Sequence, residues 1–160
     1  MNERSPRTYR TNSCDETIAL GRELAKLLKP PQVLVLRGDL GAGKTTLVKG
    51  IAAALGAAEP EEVTSPTFTL NHEYAGRAIE TASPQENLGG IVLLYHLDLY
   101  RIEGQRQLET LGIEDLMTPQ SLMLIEWGEK FPSVVARSDG EIAIETLPGD
   151  ERKITLTLRS

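Results

Sequence analysis

Apolar residues near the start of the chain recur at helical spacing and are followed by a short continuous apolar run. The helical stripe comprises Ile18, Leu20, Leu24, Leu27 and Leu28. Ser13 and Glu16 stand before it at the spacing of a capping box, in which each side chain accepts a hydrogen bond from a free backbone amide. Residues 32–37 contain a continuous apolar run, Val33 to Leu36, with two β-branched valines, which predicts a buried strand of a parallel sheet. A second helix is predicted over residues 44–55, closed by Gly56.

The rest of the chain alternates predicted strands with turns. Strands are predicted over residues 68–74, 91–97 and 122–125. Residues 108–117 have a weak helical pattern, and the alternating residues 141–145 and 154–158 flank a Pro-Gly-Asp turn, which predicts a carboxyl-terminal β-hairpin. The pattern therefore predicts one α/β domain over residues 1–160, with flanking helices and a mixed β-sheet that is parallel near its first strand and antiparallel elsewhere.

Two segments are expected to lie outside this framework. Residues 1–12 are polar and contain three arginines, so we expect them to be flexible. Residues 75–90 contain several glycines and a Ser-Pro pair, which predicts a long exposed hairpin loop.

The bulk composition limits the class of protein. A chain of 160 residues suffices for one hydrophobic core. Its net charge of −6 weighs against a protein that holds nucleic acid by itself, since such affinity comes from clustered lysine and arginine. The one cysteine, Cys14, cannot form an internal disulfide. No apolar run approaches the roughly 20 residues that cross a bilayer, and the first dozen residues lack the apolar stretch of a secretory signal. We therefore expect a cytoplasmic protein.

The turn after the first buried strand carries the strongest chemical signal. It matches the phosphate-binding pattern GxxxxGK[ST] with Gly38, Asp39, Leu40, Gly41, Ala42, Gly43, Lys44 and Thr45, and Thr46 follows. We call residues 38–45 the P-loop. Glycines allow backbone amides to turn around a phosphate without obstruction by a Cβ atom. Lys44 can reach the terminal phosphates and Thr45 can offer its hydroxyl to Mg²⁺. The strand before and the helix after the motif are the context it requires, so we predict a site for a nucleotide such as ATP with Mg²⁺.

Two acidic residues end predicted strands near this loop. Glu126 follows residues 122–125, and Asp98 follows residues 91–97. The carboxyl ends of strands are where open α/β sheets bind ligands, so either acid can order the metal or the attacking water. Without the P-loop, solvated acids at strand ends would be the simpler interpretation. With it, Lys44, Glu126 and Asp98 are the candidate catalytic residues, and Thr45, Glu126 and Asp98 are the candidate metal ligands.

Several separated motifs resemble one bacterial family, the TsaE (or YjeE) ATPases of tRNA threonylcarbamoyladenosine synthesis. The matching segments are GDLGAGKTT at residues 38–46, SPTFTL at residues 65–70, HLDLYR at residues 96–101, and LIEW at residues 124–127. Many nucleotide-hydrolysing proteins share the first motif, whereas HLDLYR and LIEW in this order are specific. Residues 78–90 look like an insertion relative to the family, and the carboxyl-terminal hairpin matches only loosely.

The resemblance implies an ATPase that works with the TsaD and TsaB proteins, which install threonylcarbamoyl on the adenosine beside the anticodon. It assigns Lys44 and Thr45 to phosphates and Mg²⁺, and Asp98 and Glu126 to the metal and water side. Arg152 resembles a basic residue at the edge of the family's nucleotide site. Trp127 and the turn at residues 65–68 resemble a nucleotide-responsive region. The tRNA is expected to meet the protein only through its partners.

Other classes of protein also contain a P-loop. A stand-alone small-molecule kinase usually has an arginine-rich lid, and no arginine cluster follows the core. A GTPase would carry an NKxD motif, and the chain has none. A nucleotide kept only as a structural ligand would not need both Glu126 and Asp98.

Several residues near these motifs admit two interpretations from sequence alone. By composition, Trp127 is more often a core residue than a site residue. His72 and His96 are better explained as hydrogen-bonded strand residues than as metal ligands, because neither has a second ligand at helical spacing. Thr67 is as much a turn residue as a switch hydroxyl. Tyr100 and Arg101 fit either packing or a ligand contact. The candidates for a catalytic arginine, Arg101, Arg106 and Arg152, lie outside any motif that guarantees their placement, so we expect a weak ATPase when partners are absent.

Overall fold

The structure, a computed structural model, describes residues 5–39, 41–67, 69–77 and 90–159. The strands are β1 (Arg7–Thr11), β2 (Gln32–Arg37), β3 (Asn71–Arg77), β4 (Ile91–Asp98), β5 (Ser121–Glu126), β6 (Gly140–Thr146) and β7 (Arg152–Leu158). The helices are α1 (Cys14–Ala25), α2 (Lys44–Ala54), α3 (Gln105–Leu111), α4 (Ile113–Leu116) and α5 (Pro132–Arg137).

The strands form one mixed sheet in the order β1-β7-β6-β2-β5-β4-β3. Its centre is parallel, because β2 pairs in parallel with β5 and β6, and β5 pairs in parallel with β4. The remaining pairs are antiparallel: β1 with β7, β6 with β7, and β3 with β4. This confirms the predicted mixed sheet with a carboxyl-terminal hairpin. It also brings the carboxyl ends of β2, β4 and β5 to one edge, where the P-loop begins.

The sheet separates two hydrophobic clusters. One contains α1, α2 and the side chains on the facing side of the sheet, such as Leu34 and Leu124. The other lies beneath α3 and α5 and contains Val33, Val35 and Ile125. Adjacent residues of one strand therefore belong to different clusters, which is why the central strands are apolar on both faces.

Two glycines allow α1 and α2 to pack closely. A Cβ atom at Gly50 would lie 2.0 Å from the carbonyl oxygen of Ile18, and one at Gly21 would lie 2.4 Å from the carbonyl oxygen of Leu47. Glycine inside a helix costs about 0.5–1 kcal/mol relative to alanine. Here it permits contact between helix backbones, and so sets the position of the helix that follows the P-loop.

The capping box at the start of α1 forms as predicted, except that one of the two donating amides belongs to the preceding residue. The Glu16 amide donates to the Ser13 hydroxyl at 3.1 Å, as expected. The Glu16 carboxylate, however, accepts from the amide of Asn12 rather than from that of Ser13. Both side chains still satisfy backbone amides near the beginning of the helix.

The strand predicted over residues 68–74 is β3 (Asn71–Arg77), so residues 75–77 belong to this strand and not to the predicted loop. The structure differs from the sequence-based predictions at three further places. Within residues 1–12, which we expected to be flexible, Arg7–Thr11 forms β1 and pairs with β7 at the edge of the sheet. The weak helix over residues 108–117 is two short helices, because Gly112 adopts a left-handed conformation with φ of 71°. Helix α5 was not predicted. Of the predicted insertion at residues 78–90, all but Gly90 lies outside the described residues.

Candidate nucleotide site

The P-loop connects β2 to α2 through glycines in conformations that other residues rarely adopt. Gly41 has a φ of 78° and Gly43 a φ of 108°, and neither has another atom within 4 Å of where a Cβ would stand. The open space faces the first turn of α2, which has 11 residues and free backbone amides at its start. Such amides, together with the positive end of the helix, favour an anion. The local geometry is therefore suited to a phosphate group.

Lys44 begins α2 and is buried, with about 5% of its surface exposed. Its ammonium group donates to the carbonyl oxygen of Gly38 at 2.7 Å. It also lies 3.7 Å from Oε1 of Glu126 and 4.1 Å from the ring centroid of Trp127. An ammonium has three donors, so these contacts hold the charge at the P-loop and leave hydrogen-bonding capacity for a ligand.

Glu126 is the strand-end acid that contacts the P-loop directly. It ends β5 and is buried, with about 4% of its surface exposed. The Thr45 hydroxyl donates to its Oε2 at 3.5 Å, and His96 Nε2 contacts the same oxygen. The carboxylate thus connects the loop to the interior of the sheet.

Asp98 lies beside Glu126, because the two are register partners across β4 and β5. Its Oδ2 accepts a hydrogen bond from the Thr67 hydroxyl at 2.9 Å, and its Oδ1 accepts from the Tyr100 amide at 2.8 Å. The Ser65 hydroxyl lies 2.8 Å from that of Thr67. The turn at residues 65–67 is therefore coupled to the acid of β4, while Phe68 lies outside the described residues.

Trp127 has an unusual backbone conformation for a bulky residue. Its φ of 62° lies in the left-handed region, which costs energy for residues other than glycine. The indole lies over the Lys44 ammonium, and the Tyr100 ring lies 5.1 Å away, centroid to centroid. Cation–π contact of this kind is favourable by about 0.5–2 kcal/mol. Trp127 is therefore part of the site as well as being packed against the core.

These groups surround one open cleft with a volume of about 280 Å³. It is lined by Gly41, Gly43, Lys44, Thr45, Thr46, Ser65, Thr67, Asp98, Glu126 and Trp127. Every predicted catalytic residue and metal ligand is in this set. The lining therefore joins the P-loop, the ends of β4 and β5, and the turn before β3.

Other predicted binding residues occupy different positions. Gly38 packs against β6, where a Cβ would lie 2.9 Å from the carbonyl oxygen of Ile144. Asp39 is exposed, and its carbonyl accepts from the Ala42 amide. Ala42 is fully buried, and Leu40 lies outside the described residues. Arg152 donates from Nε to the Ala42 carbonyl at 3.0 Å, so it supports the loop backbone from behind.

Two contributors to the site were not predicted in their observed roles. His96 is a hydrogen-bonded strand residue, as predicted. The prediction did not identify its partner, which is Glu126. Lys130 donates to three carbonyls of the segment after β4, those of Leu99, Tyr100 and Ile102. The HLDLYR motif contains His96 and Asp98 at alternate positions of a strand, which was the available signal for a shared face. No pattern in the sequence connected Lys130 to that segment.

The donors in the cleft fit a magnesium–nucleotide complex. Within the described ranges, no three His, Cys, Asp or Glu side chains form a metal cluster. Mg²⁺ at nucleotide sites usually has one or two protein ligands and takes the rest from phosphates and water. Thr45, Glu126 and Asp98 offer oxygen atoms, which Mg²⁺ prefers, and Lys44 offers a cation for the phosphates.

The fold and the loop together define the class of protein. A sheet with a parallel centre, a P-loop between β2 and α2, and acids at the ends of β4 and β5 make this a single P-loop α/β domain. In the part of the chain that the structure describes, no helix has the length and apolar character needed to span a membrane.

Comparison with known proteins identifies the family. The family model described as "Threonylcarbamoyl adenosine biosynthesis protein TsaE" matches residues 11–154. The TsaE protein of Bacillus subtilis is 38% identical over 149 residues, covering 93% of this chain and 84% of that protein. The Aquifex aeolicus TsaE is 37% identical and covers 89% of each chain. The crystal structure of Bacillus subtilis YdiB superposes with a TM-score of 0.63 at 30% identity, covering 98% of this chain and 87% of YdiB. The chain belongs to the TsaE family.

Proposed function

We propose that this protein binds ATP and Mg²⁺ in the P-loop cleft and hydrolyses ATP to ADP and phosphate. We further propose that hydrolysis supports the TsaD–TsaB transferase, which installs threonylcarbamoyl on an adenosine of tRNA. The observation that carries the first proposal is the meeting of Lys44, Thr45 and Glu126 in one cleft at the start of α2. The second rests on membership of the TsaE family, whose name refers to threonylcarbamoyl adenosine biosynthesis.

Each side chain has a distinct part in the proposed reaction. The amides of the P-loop and the start of α2 hold the phosphates, and Lys44 neutralises their charge. Thr45 and Glu126 lie together and offer oxygen atoms to Mg²⁺, with Asp98 beside them. When bound, Mg²⁺ supplies positive charge that polarises the phosphoryl oxygens. The carboxylates of Glu126 and Asp98 can also accept a hydrogen bond from water, which would orient it for attack.

The arrangement of arginines supports a dependence on partners. An arginine that contacts the transferred phosphoryl group accelerates hydrolysis by about 10³–10⁵, and it is supplied either by the same chain or by a partner. Among the described residues, Arg101, Arg106 and Arg152 do not line the cleft. Arg152 instead contacts the P-loop backbone. We therefore propose that the isolated chain hydrolyses ATP slowly and that a partner completes the site.

The proposed setting follows from charge and family. A net charge of −6 disfavours direct binding of tRNA, so we propose that the RNA arrives on the partner complex. We place the protein in the cytoplasm, where tRNA is modified. The alternative of a stand-alone small-molecule kinase is not favoured, since the relatives named above are tRNA-modification proteins.

Phosphate release tests both parts of this proposal. It should be measured for the protein alone, then with purified TsaD–TsaB, and then with tRNA added. We expect a slow basal rate that rises with the partners and is lost in Lys44→Ala. Direct tRNA binding should be negligible at physiological salt. A rate indifferent to the partners, or submicromolar tRNA affinity of the isolated chain, would contradict the proposed partnership without affecting the nucleotide site.

A further inference from the structure

His96 lies directly behind the P-loop cleft without lining it. It belongs to β4, is completely buried, and stands two residues before Asp98 on the same face of the strand. Its Nε2 contacts Oε2 of Glu126. An ionised carboxylate only accepts hydrogen bonds, so in this contact the imidazole donates its Nε2–H if Glu126 is ionised.

The carboxylate of Glu126 is thus held from two directions. His96 contacts Oε2 from the interior of the sheet, and Thr45 donates to the same oxygen from the P-loop. The other oxygen, Oε1, lies nearer the Lys44 ammonium. The Lys44 and Thr45 contacts come from groups that are expected to bind ligand, so they will change when it arrives. The His96 contact comes from a fully buried strand residue that does not line the cleft.

The other ring nitrogen makes a purely structural role a poor explanation. His96 Nδ1 is buried and has no hydrogen-bond partner among the described residues. An unsatisfied buried polar atom is destabilising, and an apolar side chain would fill the same space without that penalty. The hydrogen bond to Glu126 is therefore the interaction that distinguishes His96 from a packing residue.

We propose that His96 is a positioning residue that fixes the orientation of the Glu126 carboxylate for the hydrolytic step. This inference rests on the proposed ATPase function of the cleft. A glutamate side chain has several rotatable bonds, and their freedom must be restricted for the carboxylate to act in one place. Residues that orient a metal-site or catalytic ligand typically change activity by about 10–100-fold when replaced.

Two conservative variants separate the hydrogen bond from the volume of the side chain. The amide nitrogen of His96→Gln can occupy the place of Nε2, whereas the shorter His96→Asn reaches only the place of Nδ1. We expect His96→Asn to lower kcat about 10–100-fold while the dissociation constant of ADP changes less than about threefold. His96→Gln should recover most of that loss. Equal losses in the two variants, or full activity of His96→Asn, would overturn the proposal.

A double-mutant cycle tests whether His96 acts through Glu126. If it does, His96→Asn should cause no further loss of kcat in a Glu126→Gln background, because coupled residues are not additive. An additive loss would show that His96 acts through something other than the Glu126 carboxylate, and the proposal would be wrong. Thermal unfolding of the unmodified protein, the two single variants and the double variant controls for misfolding.

A measurement that requires no turnover separates this proposal from the proposed function. The chain has two histidines, so imidazole ¹⁵N NMR of the nucleotide-free protein can be assigned with a His72→Gln variant. We expect His96 to carry its proton on Nε2, with a hydrogen-bonded Nε2–H signal that shifts in Glu126→Gln. A proton on Nδ1 would refute the inference even if the protein is an ATPase. Conversely, unchanged hydrolysis by Lys44→Ala would refute the proposed function while leaving the NMR result intact.

Discussion

Two clefts among the described residues differ in their chemistry, and the larger of the two lacks the groups that a nucleotide requires. The P-loop cleft has a volume of about 280 Å³, whereas a groove beneath α3, α4 and α5 measures about 420 Å³. The groove has an apolar floor that includes Val33 and Ile125. Its rim carries Glu109, Glu114, Asp115 and Arg137.

Hydrogen-bond donors, and not volume, distinguish the two clefts. In the groove, the one arginine of the rim pairs with Glu114 at 3.1 Å, and the remaining carboxylates would repel a phosphate. In the P-loop cleft, the Lys44 ammonium, the start of α2 and the hydroxyls of three threonines supply the donors that a phosphate requires, and the carboxylates there, Asp98 and Glu126, are the candidate metal ligands. The comparison teaches that an anion site is recognised by its donors even when a roomier cavity exists elsewhere.

The largest expected effect comes from removing the cation of the P-loop. Lys44→Ala should reduce ATP hydrolysis to background, a loss of at least about 10²–10³, because a preorganised donor to the reacting phosphates is gone. Phosphate release and nucleotide binding measure it. Arg137→Ala in the groove is the matched control and should leave both unchanged. Near-normal hydrolysis by Lys44→Ala, or loss in Arg137→Ala, would reverse the assignment of the two clefts.

Replacing the acid of β5 should separate chemistry from binding. Glu126→Gln keeps the shape of the side chain and removes its charge, so we expect kcat to fall by about 10²–10⁴. Nucleotide affinity should fall much less. Comparison of kcat with the dissociation constant of a nucleotide provides the test. Equal losses in both would make Glu126 a ground-state metal ligand with no special part in hydrolysis.

Disruption of the contact between α1 and α2 should lower the free energy of unfolding more than it affects ATP hydrolysis. Gly50→Ala places a methyl group against the Ile18 carbonyl, so α2 must shift or α1 must move away. We expect a loss of about 1–3 kcal/mol in unfolding free energy, the usual range for overpacking. Gly104→Ala is the control, because a Cβ there has no neighbour within 4 Å. Chemical denaturation curves that are identical for both variants would contradict the predicted close packing.

The smallest effect is expected from replacing Arg152, whose side chain contacts the P-loop backbone. Arg152→Ala removes the hydrogen bond from Nε to the Ala42 carbonyl and should weaken nucleotide binding about two- to twelvefold, the equivalent of one ordinary hydrogen bond. Titration with a fluorescent nucleotide measures this change. A loss as large as that in Lys44→Ala would instead indicate that Arg152 contacts the nucleotide itself.

Sequence patterns predicted the central strands β2 and β5, whose two faces are both apolar, and missed the edge strand β1. The central strands β2 and β5 were predicted within one residue of their ends. Strand β1 was missed because its residues, RTYRT, are polar and mostly exposed. An edge strand obtains its order from backbone pairing, here with β7, and such pairing leaves little trace in hydrophobicity.

The sequence alone determined those parts of the site whose residues are adjacent along the chain. The P-loop needs contiguous glycines, a lysine and a threonine between a strand and a helix, and these are adjacent along the chain. The placement of Asp98 and Glu126 at one sheet edge also followed, since both end apolar strands. Tertiary structure alone decided the contacts that cross between elements: the His96 hydrogen bond to Glu126, the Trp127 ring over Lys44, and the approach of Gly50 to Ile18. Each depends on strand register and helix packing, which bring together residues separated by 30 or more positions in the chain, and no local pattern specifies such distances.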